Sequence, residues 1–352
     1  MFLTGLATAV PPYRFTQAQC WAAIQKAPQF PQLNALARTI LKKVLASENS
    51  VATRHFALSN LADVFSLTPD ALHARFEEHA PTLATQSAER ALAAARITPA
   101  DVDAVIVSTC TGYLCPGLTS YVGERLGLRS DVQALDLVGQ GCGAALPNLR
   151  TAQALLHAGG ARHVLSICVE ICSAALFLDN DPGVLVSACL FGDGAGAAVL
   201  SAQPAAHGRR VEWKAAASHH RPTDRNLLRF EQREGMLRNI LSRQVPALAA
   251  NSAHALLGNM LQNAGLTPAD LTAWILHAGG RDVLNALQKQ LCLSETDLHF
   301  SSSILHDFGN LSSPFVFFVL QKALAESTPG GWWWMSSFGA GFSCHGALLK
   351  VD

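Results

Sequence analysis

Three side chains in this sequence have types and settings suited to acyl chemistry: Cys142, His277 and Asn310. Cys142 stands in Leu-Asp-Leu-Val-Gly-Gln-Gly-Cys-Gly-Ala-Ala-Leu-Pro-Asn-Leu-Arg. Ala134 to Val138 reads as a short buried strand and Ala144 to Ala158 as a helix. Gly139, Gly141 and Gly143 permit a tight turn between them, because glycine tolerates backbone angles that other residues avoid. A cysteine at a helix N-terminus feels the positive end of the helix dipole, which favours the nucleophilic thiolate. The same setting also suits a small buried core residue, as most free cysteines are. His277 ends an apolar run in Trp-Ile-Leu-His-Ala-Gly-Gly-Arg-Asp, and the small residues after it leave its ring room to meet a ligand. With thirteen histidines in the chain, a strand-end histidine alone carries little weight. Asn310 lies in Asp-Phe-Gly-Asn-Leu-Ser-Ser-Pro, a glycine turn before an apolar helix.

A Cys-His-Asn set supports two chemistries. In a thiol hydrolase the histidine activates the cysteine and the asparagine orients the ring. In a carbon–carbon bond-forming acyl transferase the cysteine carries the acyl group, while histidine and asparagine donate hydrogen bonds to a thioester oxygen as charge develops on it.

An internal repeat says which elements must position these residues. Ile-Thr-Pro-Ala-Asp-Val-Asp-Ala-Val-Ile-Val follows an Ala-rich helical segment in the first half. Leu-Thr-Pro-Ala-Asp-Leu-Thr-Ala-Trp-Ile-Leu follows a similar segment in the second, so that Thr98 maps onto Thr267 and Asp101 onto Asp270. A spacing one residue shorter, 168 in place of 169, carries Cys142 to Asn310. Later, Leu190-Phe-Gly-Asp-Gly-Ala-Gly and Ser337-Phe-Gly-Ala-Gly-Phe each lead into a final strand. These landmarks predict a duplicated α/β unit of mixed sheets covered by helices, with halves 1–205 and 206–352 joining near residues 202–210. Pseudo-twofold packing would bring Cys142 and Asn310 to one central site. The duplication and the glycine loops favour the acyl transferase over the hydrolase.

Bulk properties bound the reading. A length of 352 residues, 49% of them hydrophobic and only 15% charged, requires extensive burial. A formal net charge of zero gives no reason to expect nucleic acid or an anionic membrane as partner. The nine cysteines are scattered and lack a Cys-x-x-Cys pair, which points to neither a disulfide framework nor a metal site and suits a reducing cytoplasm. Met1 to Val10, followed by Pro11-Pro12, reads as a first strand and not as a signal peptide. No run of eighteen apolar residues predicts a membrane span. Trp332-Trp-Trp reads as the start of a buried strand.

Five motifs in order, Gly-Gln-Gly-Cys142-Gly, Leu190-Phe-Gly-Asp-Gly, His277-Ala-Gly-Gly, Gly309-Asn-Leu-Ser-Ser and Phe338-Gly-Ala-Gly-Phe, resemble the type III polyketide synthases. These include the chalcone synthases, within the thiolase-like condensing enzymes. The resemblance runs from the opening strand to Lys350 and implies a layered αβαβα fold, a homodimer with the segment around Cys115-Pro-Gly near the subunit boundary, and no cofactor. It implies that Cys142, paired with His277, takes an acyl group from a starter acyl-CoA. Malonyl-CoA would then be held by His277 and Asn310 as it loses carbon dioxide, and its carbanion would attack the acyl-cysteine. Phe191 matches the gatekeeping phenylalanine, which offers the malonyl carboxylate a poorly solvating face. Its bland reading is core packing.

Cavity positions implied by the same resemblance are Cys110, Thr111, Cys172, Ala175, Phe338 and Gly339. Three of them, Cys110, Cys172 and Ala175, stand where plant members carry threonines, and they suggest an apolar space for an aliphatic starter such as a fatty acyl chain, as in alkylpyrone or alkylresorcinol synthases. No second gatekeeping phenylalanine stands at Met236 to Arg238, and Ala340 replaces the usual proline of the closing loop. Arg54, Lys42 and Lys43 fall where the family binds the CoA phosphates, although a helix with two lysines is usually plain solvated surface. The rival readings are a ketoacyl synthase of the third type, which performs one condensation with a carrier protein, the thiol hydrolase, and a silent scaffold.

Overall fold

Both Thr-Pro-Ala-Asp segments fold alike in the computed structural model, which describes residues 1–46, 51–326 and 328–352. Thr98 donates from its backbone N and its Oγ1 to Asp101 Oδ2, at 2.8 and 2.7 Å. Thr267 does the same to Asp270 Oδ2, at 2.7 and 2.8 Å. Proline fills the first position of each short turn, where no N–H is needed. A long helix precedes each turn, Pro69–Ala95 and Val245–Ala264, and each ends on a left-handed residue, Arg96 and Gly265.

The described residues form thirteen strands. The first seven are β1 (Phe2–Ala9), β2 (Tyr13–Thr16), β3 (Thr53–Phe56), β4 (Ala104–Thr109), β5 (Gln133–Val138), β6 (His163–Glu170) and β7 (Gly194–Ser201). The remainder are β8 (Val211–His220), β9 (Leu228–Arg233), β10 (Met236–Leu241), β11 (Leu271–Leu276), β12 (Gly331–Gly339) and β13 (Ser343–Val351). Nine of them make one sheet in the order β11-β12-β13-β8-β1-β7-β6-β4-β5.

The duplication is visible in the pairing. In the first half β4 runs parallel to β6, β6 antiparallel to β7, and β7 antiparallel to β1. In the second, β11 runs parallel to β12, β12 antiparallel to β13, and β13 antiparallel to β8. The two sets meet where Phe2 and Leu3 pair with Glu212 and Val211.

Alternation along β4 shows how helices cover both faces. Val105 and Val107 join a core cluster with Ala80, Ala84, Ala88 and Ala91 of helix Pro69–Ala95. Ala104 and Ile106 join the cluster that contains helices Ala145–His157 and Phe315–Ala325. Successive strand side chains point to opposite faces, so a strand covered on both sides is apolar throughout. Trp333 and Trp334 are fully buried on β12, as expected for the start of a core strand. A two-stranded sheet, β2–β3, and a hairpin, β9–β10, flank the site.

One expectation is corrected. The segment preceding the Cys142 turn is a strand, but it is exposed along most of its length, with Leu135 and Val138 37% and 55% accessible. It is the outermost strand, paired only with β4, so its other edge meets no further strand among the described residues.

Candidate active site

Cys142 sits in a single 3₁₀ turn, Gly141–Gly143, after β5 and before helix Ala145–His157. Gly141 has φ +57°, a left-handed angle that a side chain would strain. Gly143 is needed for space, because a methyl there would lie 2.9 Å from the backbone N of Gly339 and 3.0 Å from its Cα. Ser337 Oγ donates to the Gly143 carbonyl at 2.9 Å. The closing loop of the second half is thus pressed, backbone to backbone, against the Cys142 turn of the first. Phe338 and Gly339 serve this contact and are not walls of the cavity described below.

His277 follows β11, its backbone N bonded to the Ser336 carbonyl at 2.9 Å. Its ring is 3% exposed and packs edge-on against Phe315, at 5.3 Å between centroids, and beside Phe338 at 6.5 Å. Burial lowers its pKa to about 3, so the imidazole is neutral. Its Nδ1 has no hydrogen-bond partner. Asn310 is clamped by its backbone to the Phe191 segment: its N donates to Leu190 O at 2.8 Å, and Gly192 N donates to its O at 3.0 Å. Its side-chain Nδ2 donates to Gly279 O at 3.2 Å, and its Oδ1 accepts from Ser312 N at 2.8 Å. Ser312 Oγ in turn donates to Cys142 Sγ at 3.3 Å. An unbroken chain of contacts therefore links the Cys142 turn, the Asn310 loop and the loop that carries His277.

The thiol does not behave as its place before a helix suggests. Burial raises the Cys142 pKa to about 12, with the Ser312 hydrogen bond opposing and the nearby Glu170 adding to the rise. The helix begins only after an intervening 3₁₀ turn, and a helix dipole falls off within its first turn. Glu170, at the end of β6, is the main group that sequence reasoning missed. It is fully buried, and its Oε2 accepts from Thr109 Oγ1 (3.2 Å), Cys110 N (3.0 Å) and Thr111 Oγ1 (2.9 Å). Its Oε1 accepts from Cys110 Sγ (3.3 Å), Ser312 Oγ (3.4 Å) and the Ser313 hydroxyl. Burial raises its pKa, and these donors oppose the rise. The available signal was a carboxylate closing an otherwise apolar strand, His-Val-Leu-Ser-Ile-Cys-Val-Glu.

A cavity of about 30 Å³, room for a water or two, lies beside this chain. Thr111, Cys172, Ala175 and Phe191 line it together with Ser312, as do Phe56, Phe177, Phe230 and Asn239. Cys110 lies just behind, bonded to Glu170 and, at 3.4 Å, to Ser312. The walls are apolar as expected, but the space is narrow. Phe230 faces it from β9 with its cross-strand partner Asn239, so an aromatic ring does come from this hairpin, though not from Met236 to Arg238. Arg238 is instead bound to Asp179 at 2.7 Å and Glu231 at 2.9 Å.

The three proposed CoA cations part company. Arg54 is 4% exposed and committed internally: Nη1 donates to the carbonyls of Ala188 (2.8 Å) and Phe191 (3.0 Å), and Nε to Gln17 Oε1 (3.0 Å). It caps helix Pro182–Leu190 and holds the Phe191 segment, so its charge is not presented to solvent. Lys42 and Lys43 are exposed in the last turn of helix Ala35–Leu45, beside residues 47–50, which lie outside the described residues.

The duplicated sheet, the glycine-flanked Cys142 turn and the facing Asn310 loop define a thiolase-like fold with a half-buried thiol at its centre. The description "FAE1/Type III polyketide synthase-like protein" matches residues 13–266, and "Chalcone and stilbene synthases, C-terminal domain" matches residues 212–351. A 1,3,6,8-tetrahydroxynaphthalene synthase of Streptomyces peucetius is 30% identical, over 97% of this chain and 91% of its own. The alpha-pyrone synthesis polyketide synthase-like Pks18 of Mycobacterium tuberculosis is 28% identical, over 99% and 91%. The crystal structure of PKS-I from the brown alga Ectocarpus siliculosus superposes with a TM-score of 0.90 at 26% identity, covering 99% of this chain and 98% of that one. The chain belongs to the type III polyketide synthases, acyl-transferring condensing enzymes that need no cofactor beyond their CoA substrates. No described helix is long and apolar enough to cross a membrane.

Proposed function

We propose that Cys142 carries the growing acyl chain and that His277 and Asn310 bind the malonyl thioester oxygen during decarboxylative condensation. The observation that carries this reading is the orientation of Asn310. Its amide bonds to Gly279 O and Ser312 N and makes no bond to the His277 ring, so it does not serve as the ring-orienting member of a hydrolase triad. Nδ2 has two hydrogens and spends one on Gly279, which leaves the other for a substrate oxygen. His277, neutral in the resting site, can accept the thiol proton as the sulfur attacks the starter thioester and CoA leaves. Hydrogen bonds that strengthen as negative charge forms on the malonyl oxygen lower the barrier to losing carbon dioxide. Phe191 would face the departing carboxylate with an apolar ring.

A short acyl starter is the reading adopted over a fatty acyl chain, because any starter must displace part of this wall and a long chain must displace more of it, Phe230 included. The exposed edge of β5, with Leu135, Val138 and the 69% accessible Tyr113, supports a homodimer in which a second copy covers this edge. Nine free cysteines suit a reducing, cytosolic setting. The halves 1–205 and 206–352 would then each contribute one side of the site. The test is mass spectrometry of products from malonyl-CoA with acyl-CoA starters of graded length, run beside Cys142→Ala. Products from short starters only, lost in the variant, are expected. Unchanged product from Cys142→Ala overturns the assignment, and preferred use of long-chain starters overturns the starter class.

A further inference from the structure

Ser312 takes no part in the steps above, yet it joins three parts of the site. Its backbone N holds Asn310 Oδ1, and its hydroxyl lies 3.3 Å from Cys142 Sγ, 3.4 Å from Cys110 Sγ and 3.4 Å from Glu170 Oε1. We propose that Ser312 is a further catalytic residue, its hydroxyl hydrogen bonding to the Cys142 sulfur as negative charge forms there. The inference rests on the reading of Cys142 as the acyl carrier.

Competition for one hydrogen decides where it goes. An O–H···O distance of 3.4 Å to Glu170 is long for such a bond, whereas 3.3 Å to the larger sulfur atom is an ordinary approach. Glu170 has little need of this donor. A carboxylate offers about four lone-pair sites, and Thr109, Thr111, Ser313 and the Cys110 backbone already point at them. Ser312 is therefore the surplus donor of the network. Its backbone reinforces the point. Ser312 has φ +59°, a conformation costly for any residue with a Cβ, and it is held there by the bond to Asn310 and by Phe315 N on its carbonyl at 3.2 Å. Glycine would fill this position without strain; serine places a hydroxyl against the nucleophile.

The proton balance is simple. The Cys142 S–H gives its proton to His277, the sulfur pair attacks the thioester carbon, and the CoA thiolate leaves. Ser312 keeps its O–H bond throughout and only turns it toward the sulfur. Once the sulfur is acylated it is no longer anionic, and the hydroxyl is released to Glu170 or Cys110. The titratable groups whose charge acts on or feels this sulfur are Glu170 on β6, Cys110 after β4 and Cys172 after β6.

The test is the rate of iodoacetamide labelling of Cys142, followed on its peptide by mass spectrometry from pH 6 to 10, in the whole enzyme and in Ser312→Ala and Ser312→Gly. A hydrogen bond to a charged sulfur corresponds to about one to two pH units. Both variants should therefore label along profiles displaced upward by that amount, about ten- to a hundred-fold slower at fixed pH. Ser312→Gly should also melt no lower than the parent, because its backbone strain is relieved. A folded Ser312→Gly whose profile superimposes on the parent's overturns the proposal, even if its polyketide output falls. Labelling needs no malonyl-CoA, so that failure is distinct from a Cys142→Ala enzyme that still makes product, which would remove the reading underneath.

Discussion

Replacing Gly143 with alanine tests whether contact between the two halves sets the position of the nucleophile. The added methyl would lie 2.9 Å from Gly339 N, 3.0 Å from Gly339 Cα and 3.1 Å from the Phe338 carbonyl carbon. Ordinary non-bonded separations are about 3.5–4.0 Å, so the two loops must part by roughly 0.5–1 Å. The neighbours are backbone atoms of a sheet strand, tied down by the Ser337–Gly143 bond, and cannot give as a flexible side chain would. Overpacking of this kind costs about 1–3 kcal/mol. A misplacement of about 1 Å can lower turnover about a hundred-fold. Gly143→Ala should therefore lose about ten- to a hundred-fold in kcat/KM for malonyl-dependent product while melting only a few degrees lower. Gly258→Ala is the control, since a methyl there meets nothing within 4 Å. It lies on the exposed side of helix Val245–Ala264 and should gain about 0.5–1 kcal/mol with activity intact. Full turnover in Gly143→Ala would refute the idea that this contact positions Cys142.

Other outcomes follow from the buried polar groups. Glu170→Gln can keep an oxygen on Cys110 N only by turning its NH₂ toward Ser312 and Ser313, whose hydroxyls must then reverse from donors to acceptors, and it should cost about 1–3 kcal/mol in urea unfolding. Arg54→Ala strands the carbonyls of Ala188 and Phe191 and should cost about 3 kcal/mol, with a rise in uncoupled malonyl-CoA consumption as Phe191 loosens. Burial holds His277 at about 3 and His345 at about 4, both below the unfolded value of 6.5. Because the unfolded chain binds more protons below pH 6.5, these residues stabilise fully above that pH, and the contribution is lost as pH falls toward their folded values. His277 alone should account for about 2 kcal/mol between pH 7 and pH 5, and His277→Gln should flatten that part of a urea-derived stability profile.

How much of this was legible in the sequence depends on the range of the interaction. The Thr-Pro-Ala-Asp turns were readable because a threonine and an aspartate three residues apart close their own hydrogen bonds. The duplicated pairing followed from them, and with it the convergence of Cys142 and Asn310. Glu170 was not readable, because its network draws on residues 109–111 and 312–313, segments that only the fold brings together. Arg54 shows the same limit: a cation in the right region turns out to hold carbonyls, and only its partners reveal this. The burial of β5 was misjudged because alternation and apolarity describe a strand but not its place in the sheet order. The thiol was misjudged because a helix dipole is visible in a pattern, whereas desolvation depends on every atom around the sulfur.

The seam between the halves also bears on how the chain is made. Strand β1 is made long before its partners, yet it takes its place in the middle of the nine-stranded sheet, flanked by β7 and β8. Phe2 waits for Ser201 and Glu212, so the opening strand stays unpaired until about 200 more residues exist, roughly 10–40 s of synthesis. Such a long-range closure slows folding and leaves an apolar strand open to other chains. An enzyme whose two loops must meet within a fraction of an ångström thus depends on keeping β1 out of trouble until both of its partner strands exist.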